Sequence, residues 1–281
     1  MNQNIIDNVL KCPVCELDLC TKGNSLTCER GHCFDLASAG YVNLASSKQA
    51  GGGDSKELVA ARMAFLGAGY YEPFAREVCL RVAQYAHGGV VIDAGCGEGY
   101  YSLLAAREAE ADVCGFDLSK FAVMAAAKAA KRQSIDAAFA VAGIFDMPLR
   151  DGCADLVMNL FAPCAAEEFC RVLKPGGHLI VAGAGENHLE GLKRLIYDEF
   201  IPNQTRADLP DIPQLCLVEQ ARITYDISVE RHEDIMALFS MTPYYYRTAE
   251  AGRARLESAL RLDTKVDFDI FVYKKAENVT L

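Results

Sequence analysis

Five cysteines and a histidine fall between residues 12 and 35: Cys12, Cys15, Cys20, Cys28, His32 and Cys33. Cys12-x2-Cys15 puts two thiolates on one tight turn, and Cys28-x3-His32 supplies a facing pair. Three thiolates and one imidazole make a closed tetrahedral Zn2+ site. A set with Cys33 in place of His32 is the rival arrangement. Cys20 has no partner at ligand spacing. Four filled positions leave no open coordination site, so the zinc is expected to be structural. It would contribute roughly 10–16 kcal/mol to a segment too small to build its own core.

A second stretch carries different chemistry. In "VVIDAGCGEGYY" (90–101) an apolar strand runs into Gly95, Gly97 and Gly99, which open a helix. Glycines there let the chain turn sharply and let a ligand lie against main-chain N–H groups. The pattern alone fits a plain tight turn, a dinucleotide site or an S-adenosylmethionine site. Two carboxylates favour the last. Asp93 precedes the loop, where it can meet the charged amino-acid end of the cofactor. Glu98 lies inside the loop, where it would repel a pyrophosphate but tolerate a zwitterion. Asp117, at the end of the next strand in "GFDLS", is placed to bond both ribose hydroxyls. It can equally cap the helix at 119–132, and the two roles are compatible.

The elements that must position these groups follow from the hydrophobic pattern. Residues 1–46 are cysteine-rich and turn-rich and read as a zinc-binding ribbon. Residues 47–88 read as a connector and helices: a flexible segment at 47–54, a helix from an Asp54 or Ser55 cap to about Leu66, and a second helix with Phe74, Val78, Val82 and Tyr85 on one face. From 89 to 281 short apolar strands alternate with helices at 100–109, 119–132 and 165–173, the signature of a parallel sheet covered on both faces. "LVEQARITYDIS" and "KVDFDIFVYKK" alternate apolar and polar residues and read as an antiparallel pair closing the sheet.

Bulk properties narrow the function. A net charge of −10 excludes a chain coated in positive potential, so any nucleic-acid contact must come from local patches. No apolar run is long enough for a membrane helix, and the N-terminus lacks a secretory pattern. A cytoplasmic location with reduced thiols is expected. Cys79, Cys96, Cys114, Cys153, Cys164, Cys170 and Cys216 then read as small core residues.

"DMPLRDGCADLVMNLFAPC" (146–164) and "RVLKPGGHLIVAG" (171–183) follow the loop in order, and with them residues 90–275 resemble the class I S-adenosylmethionine-dependent methyltransferases. That implies a seven-stranded Rossmann-like α/β domain behind the ribbon. One departure is visible: "VAGIF" has no acid after the third strand, where many members use one for adenine. The wider set "CPVC", "GHCFDLASAGYVNL", "AGYYEPF", "FAPC", "HLEGLKRLIY" and "MTPYYYR" resembles the 23S ribosomal RNA guanine-N1 methyltransferases along nearly the whole chain, from Cys12 to about Tyr273. The resemblance implies methyl transfer from S-adenosyl-L-methionine to N1 of a guanine in a 23S rRNA hairpin, with no membrane partner. It also implies a family able to form homodimers, zinc ligands at Cys12, Cys15, Cys28 and His32, and cofactor contacts at Tyr71, Gly97, Glu98 and His188.

Guanine N1 must lose a proton, but the sequence names no catalytic base. Phe161 of "FAPC" is a candidate to stack on the base. Cys164 needs no nucleophilic role, because N1 methylation requires none. Tyr244 to Arg247, Arg253, Arg255 and Arg261 mix aromatics with arginines and are candidates for RNA contact. A small-metabolite methyltransferase and a catalytically silent zinc-dependent RNA-binding protein are the rival functions. The added ribbon opposes the first, and the intact loop with Asp117 opposes the second.

Overall fold

A computed structural model describes residues 2–46, 53–203 and 211–277. Most of the expected flexible segment at 47–54 lies outside the described residues. The chain opens with α1 (Gln3–Asn8), capped by the Asn2 side chain, which accepts from the Ile5 N–H. Strands β1 (Cys20–Lys22), β2 (Ser25–Thr27) and β3 (Cys33–Asp35) pair antiparallel in that order, and β4 (Val42–Asn43) follows. The Ser55 hydroxyl caps α2 (Lys56–Gly67) by accepting from the Leu58 N–H. Pro73 sits in the first turn of α3 (Glu72–Ala86), where its missing N–H costs nothing.

From Val90 the alternation is as expected: β5 (Val90–Ala94), α4 (Tyr100–Glu108), β6 (Asp112–Asp117), α5 (Lys120–Gln133), β7 (Ala138–Val141), β8 (Ala154–Leu160), α6 (Ala166–Val172), β9 (Leu173–Ala184) and α7 (Glu190–Ile196). Strand β10 (Leu215–Val229) is followed by α8 (His232–Ser240), a 3-10 turn at Pro243–Tyr246, α9 (Glu250–Glu257) and β11 (Leu262–Lys275). The large sheet has the order β10-β11-β9-β8-β5-β6-β7-β4. Strands β5 to β9 are parallel, and β11 and β10 run antiparallel at one edge.

The chain steps outward from β5 through β6 to β7, then returns to β8 on the other side of β5. Open α/β sheets bind ligands at such a reversal, beyond the carboxyl ends of the strands. Side chains sort by parity. Val91, Val113, Leu156 and Ile180 face Phe74, Leu103 and Val123, whereas Ile92, Cys114, Val157 and Leu179 face Leu149 and Phe169. Two covered faces are why these strands read as unbroken apolar runs.

All seven expected strands form, and β4 joins as an eighth, parallel to β7 through Val42↔Ala140 and Asn43↔Val141. Two residues are too few to show any periodicity. The ribbon is stitched to the sheet in other ways too. Lys11 N donates to Pro148 O at 2.9 Å, and Asn2 Nδ2 donates to Asp112 Oδ1 at 2.7 Å. Ile5, Leu10, Leu19 and Leu26 share one buried cluster with Ile92, Phe116 and Leu149. Cys79, Cys96, Cys114, Cys153 and Cys170 are buried as expected, while Cys216 is exposed on the edge strand β10. Among the described residues, no helix is long and apolar enough to cross a membrane.

Candidate functional site

The ligand atoms of Cys12, Cys15, Cys28 and His32 all lie within 4.8 Å of one another. Cys15 Sγ stands 3.6 Å from Cys28 Sγ, and His32 Nδ1 stands 3.5 Å from Cys12 Sγ and 3.3 Å from Cys28 Sγ. A zinc tetrahedron with Zn–S near 2.3 Å has sulfur–sulfur edges of about 3.8 Å, so the four atoms already have the spacing zinc requires. Burial pushes the Cys28 thiol up, but hydrogen bonds at the His32 and Arg30 main chain and from the Cys15 thiol outweigh it and bring it to about 6. Cys20 and Cys33 lie on outer strands of the ribbon, both in register with Thr27, and are exposed. The rival set with Cys33 is therefore not the one the fold gathers.

The glycine loop sits at the carboxyl end of β5. Gly95 has φ 91°, and a Cβ there would stand 2.6 Å from Ala162 Cβ, so the loop after β8 lies directly against the glycine turn. Asp117, at the end of β6, accepts from Gly97 N at 3.0 Å with one oxygen and from Ser119 N at 2.7 Å with the other. The same carboxylate thus braces the loop and the start of α5, and each oxygen keeps a lone pair for a hydroxyl. Ser119 itself caps α5. The expected alternatives for Asp117 are both compatible with this geometry.

Asp93 is buried and accepts from Ser102 Oγ at 2.5 Å. Burial pushes its carboxyl up to about 7; the Ser102 hydroxyl opposes this, and the neighbouring Asp117 and Glu98 carboxylates reinforce it. Glu98 is also buried, and its Oε2 accepts from Arg62 Nε at 2.6 Å. Arg62 Nη1 donates to Asp54 Oδ2 at 2.6 Å. Sequence reading had not singled out Arg62. The signal was available: Val59, Arg62, Phe65 and Leu66 share one helical face, and three of them are buried apolar residues.

Tyr71 and His188, distant in sequence, meet in the interior, with Tyr71 Oη 3.3 Å from His188 Nε2. The main-chain N–H of Asp267 donates to His188 Nδ1 at 3.3 Å. Nδ1 is therefore the acceptor, and Nε2 carries the hydrogen and donates to the Tyr71 oxygen. Burial lowers His188 to about 3, so the ring is neutral. Asp267, also unnoticed in the sequence, anchors this corner. It is fully buried, accepts from Arg222 Nε at 2.6 Å and from Asn187 N at 2.8 Å, and is held near 2 chiefly by the Arg222 bond.

A chain of rings links this corner to the crevice. The Phe268 centroid is 4.3 Å from His188 and 4.7 Å from Phe161, and Phe161 is 5.3 Å from Phe74. Phe161 follows β8, has φ 58° and leaves its ring 44% exposed. A left-handed backbone on an aromatic residue costs energy and persists where the surroundings impose it. Here Asn159 imposes it, since its Nδ2 donates to Ala94 O at 3.1 Å and to Pro163 O at 3.0 Å.

The candidate RNA-contact residues divide. Arg255 Nε donates to Leu195 O at 2.7 Å, capping the end of α7; Arg253 lies 5.0 Å from the Tyr245 ring; Arg261 is forked against Asp263. Tyr244 donates to Asn203 Oδ1. Tyr246 and Arg247 remain exposed.

Residues 86–224 match the profile of a methyltransferase domain, and residues 10–49 match that of an RlmA N-terminal zinc ribbon. The chain is 38% identical over 197 residues to the 23S rRNA (guanine(748)-N(1))-methyltransferase of Streptomyces fradiae, covering 68% of this chain and 69% of that one. It is 28% identical to YxjB of Bacillus subtilis across 98% of this chain and 100% of that one. The YcgJ protein of Bacillus subtilis shares the fold, with a TM-score of 0.51 at 16% identity over 73% of this chain and 99% of its own.

Proposed function

The chain belongs to the family of 23S rRNA guanine-N1 methyltransferases, and from that premise we propose how its residues divide the work. It is an S-adenosylmethionine-dependent methyltransferase with a structural zinc ribbon. Bound S-adenosylmethionine supplies a methyl carbon made electrophilic by the adjoining sulfonium. Tyr71, Asp93, Gly95, Gly97, Glu98, Asp117 and His188 hold that cofactor. Cys12, Cys15, Cys28 and His32 hold the zinc. The substrate is a guanine presented by a 23S rRNA hairpin in the cytoplasm.

The observation that carries this reading is the strained, half-exposed Phe161 lying beside the glycine turn. A base splayed out of an RNA hairpin needs a flat apolar partner, and Phe161 offers one face while Phe74 and Phe268 support the other. Stacking there would hold the base beside the glycine turn, and positioning is most of what this chemistry needs. His188 is not the acceptor of the N1 proton, because its Nδ1 lone pair is engaged and its Nε2 carries hydrogen. Besides its place at the cofactor, it holds Tyr71 through the Nε2–Oη contact at 3.3 Å.

Exposed Met63 on α2 and Leu80 on α3 are apolar groups that association of two copies would cover. Sedimentation at two protein concentrations reads that association. The decisive experiment for the activity is mass spectrometry of 23S rRNA from cells with and without the gene. Loss of one N1-methylguanosine in the deletion strain is expected, and an unchanged nucleoside profile would overturn the reading.

A further inference from the structure

We propose that Arg62 holds the carboxylate of the cofactor's amino-acid end. The inference rests on the methyltransferase reading above and assigns a role to a residue outside the glycine loop. Four carboxylates surround the loop: Asp54, Asp93, Glu98 and Asp117. They suit two of the three charged groups of S-adenosylmethionine, its sulfonium and its ammonium. The third group, its carboxylate, needs a cation and finds none among them.

Arg62 is the cation that the structure sets on the loop. Its Nη2 lies 3.1 Å from where a Gly97 Cβ would stand, so any side chain at that position would crowd the guanidinium. Nε is committed to Glu98 and Nη1 to Asp54, each at 2.6 Å. Nη2 makes no hydrogen bond to a described residue, and its donors are left for a ligand. Two anchored nitrogens fix the plane of the guanidinium, which makes the remaining edge a rigid carboxylate receptor. The helix that carries Arg62 is itself pinned over the site. Ser119 Oγ donates to Asp54 O at 2.7 Å, and a Cβ on Gly53 would stand 2.4 Å from Ser119 N. The segment from Gly53 to Arg62 therefore runs from Ser119, beside Asp117, to Gly97 of the glycine loop.

The bland alternative is that Arg62 merely braces α2 against the loop. Calorimetry of the zinc-loaded full chain with S-adenosylmethionine and with its decarboxylated analogue separates the two. Wild type is expected to prefer S-adenosylmethionine, and R62Q to lower that affinity about tenfold or more while leaving the analogue within about twofold. R62K, which keeps the charge but loses the Nη2 edge, is expected to retain part of the preference. Equal weakening of both ligands in R62Q and R62K, or no weakening, would overturn the proposal. If R62Q does not fold, R62K alone decides: an undiminished preference there overturns it. Failure of the wild-type chain to bind either ligand would instead sink the methyltransferase reading, and this proposal with it.

Discussion

Two buried titratable residues give the site opposite responses to pH. Asp93 keeps its proton in the folded chain to about 7, whereas an unfolded aspartate loses it near its ordinary value of 3.8. Between those values the folded state binds more protons, so this group lowers stability as pH rises. His188 behaves in the other direction. Its folded value of about 3 lies below 6.5, so the stability it supports is lost as pH falls below about 6.5. The two effects oppose each other in acid, and cofactor affinity reads Asp93 more cleanly. An ammonium favours the ionised carboxylate, so S-adenosylmethionine should bind more tightly as pH rises through about 7, with Ser102, Asp117 and Glu98 facing the titrating group. Calorimetry across pH 6 to 8 checks this, and Asp93→Asn should flatten the profile. Phe161→Ala should cost single-turnover methylation of an rRNA hairpin about tenfold or more, by loss of a stacked base, while S-adenosylmethionine affinity changes less than about twofold.

At the scale of elements, the ribbon and α2 do different jobs with similar economy. The three ribbon strands are only three residues each, and their four clustered ligand atoms make the metal the main cross-link between the two turns. Chelation of the purified chain, or Cys28→Ser, should therefore release one zinc per chain and lower the thermal midpoint by several degrees. Metal analysis with a thermal scan reads both. If the site is structural, restoring zinc should restore stability. Helix α2 is legible from an Asp54 or Ser55 cap and runs to about Leu66 as expected, with Ser55 the cap, but nothing in its sequence names Glu98 as the partner of Arg62. Helical spacing places Arg62 on the buried face; only a partner from another element explains why a charge is tolerated there.

For the molecule as a whole, the ribbon is less separable than its composition implies. Ile5, Ile6, Leu10, Leu19 and Leu26 are buried with Phe116 of β6, Leu149 of the segment before β8 and Phe169 of α6. Removing residues 1–46 would strip one sheet face of its cover and expose the β7 edge. The truncated domain should lose solubility and bind a hydrophobic dye, which a fluorescence titration measures; a monomeric, dye-silent domain would contradict the shared core. With an overall charge of −10, contact with RNA must come from local groups such as the exposed Arg247 rather than from the surface as a whole.

The sequence by itself determined the alternating sheet, the helix boundaries near the site, the zinc ligand spacing and the glycine loop with Asp93 and Asp117. Each is written in local periodicity, cap chemistry or short spacing, so a window of a few residues carries it. Tertiary structure decided what no window contains. It chose His32 over Cys33 by turning one inward and one onto an exposed strand. It joined Tyr71 to His188 and set Asp267 behind the histidine, and it added β4 to the sheet. It also laid Arg62 across Gly97. These pairings join residues from tens of positions apart up to 117, and their energies depend on burial and on partners that exist only once the sheet has closed.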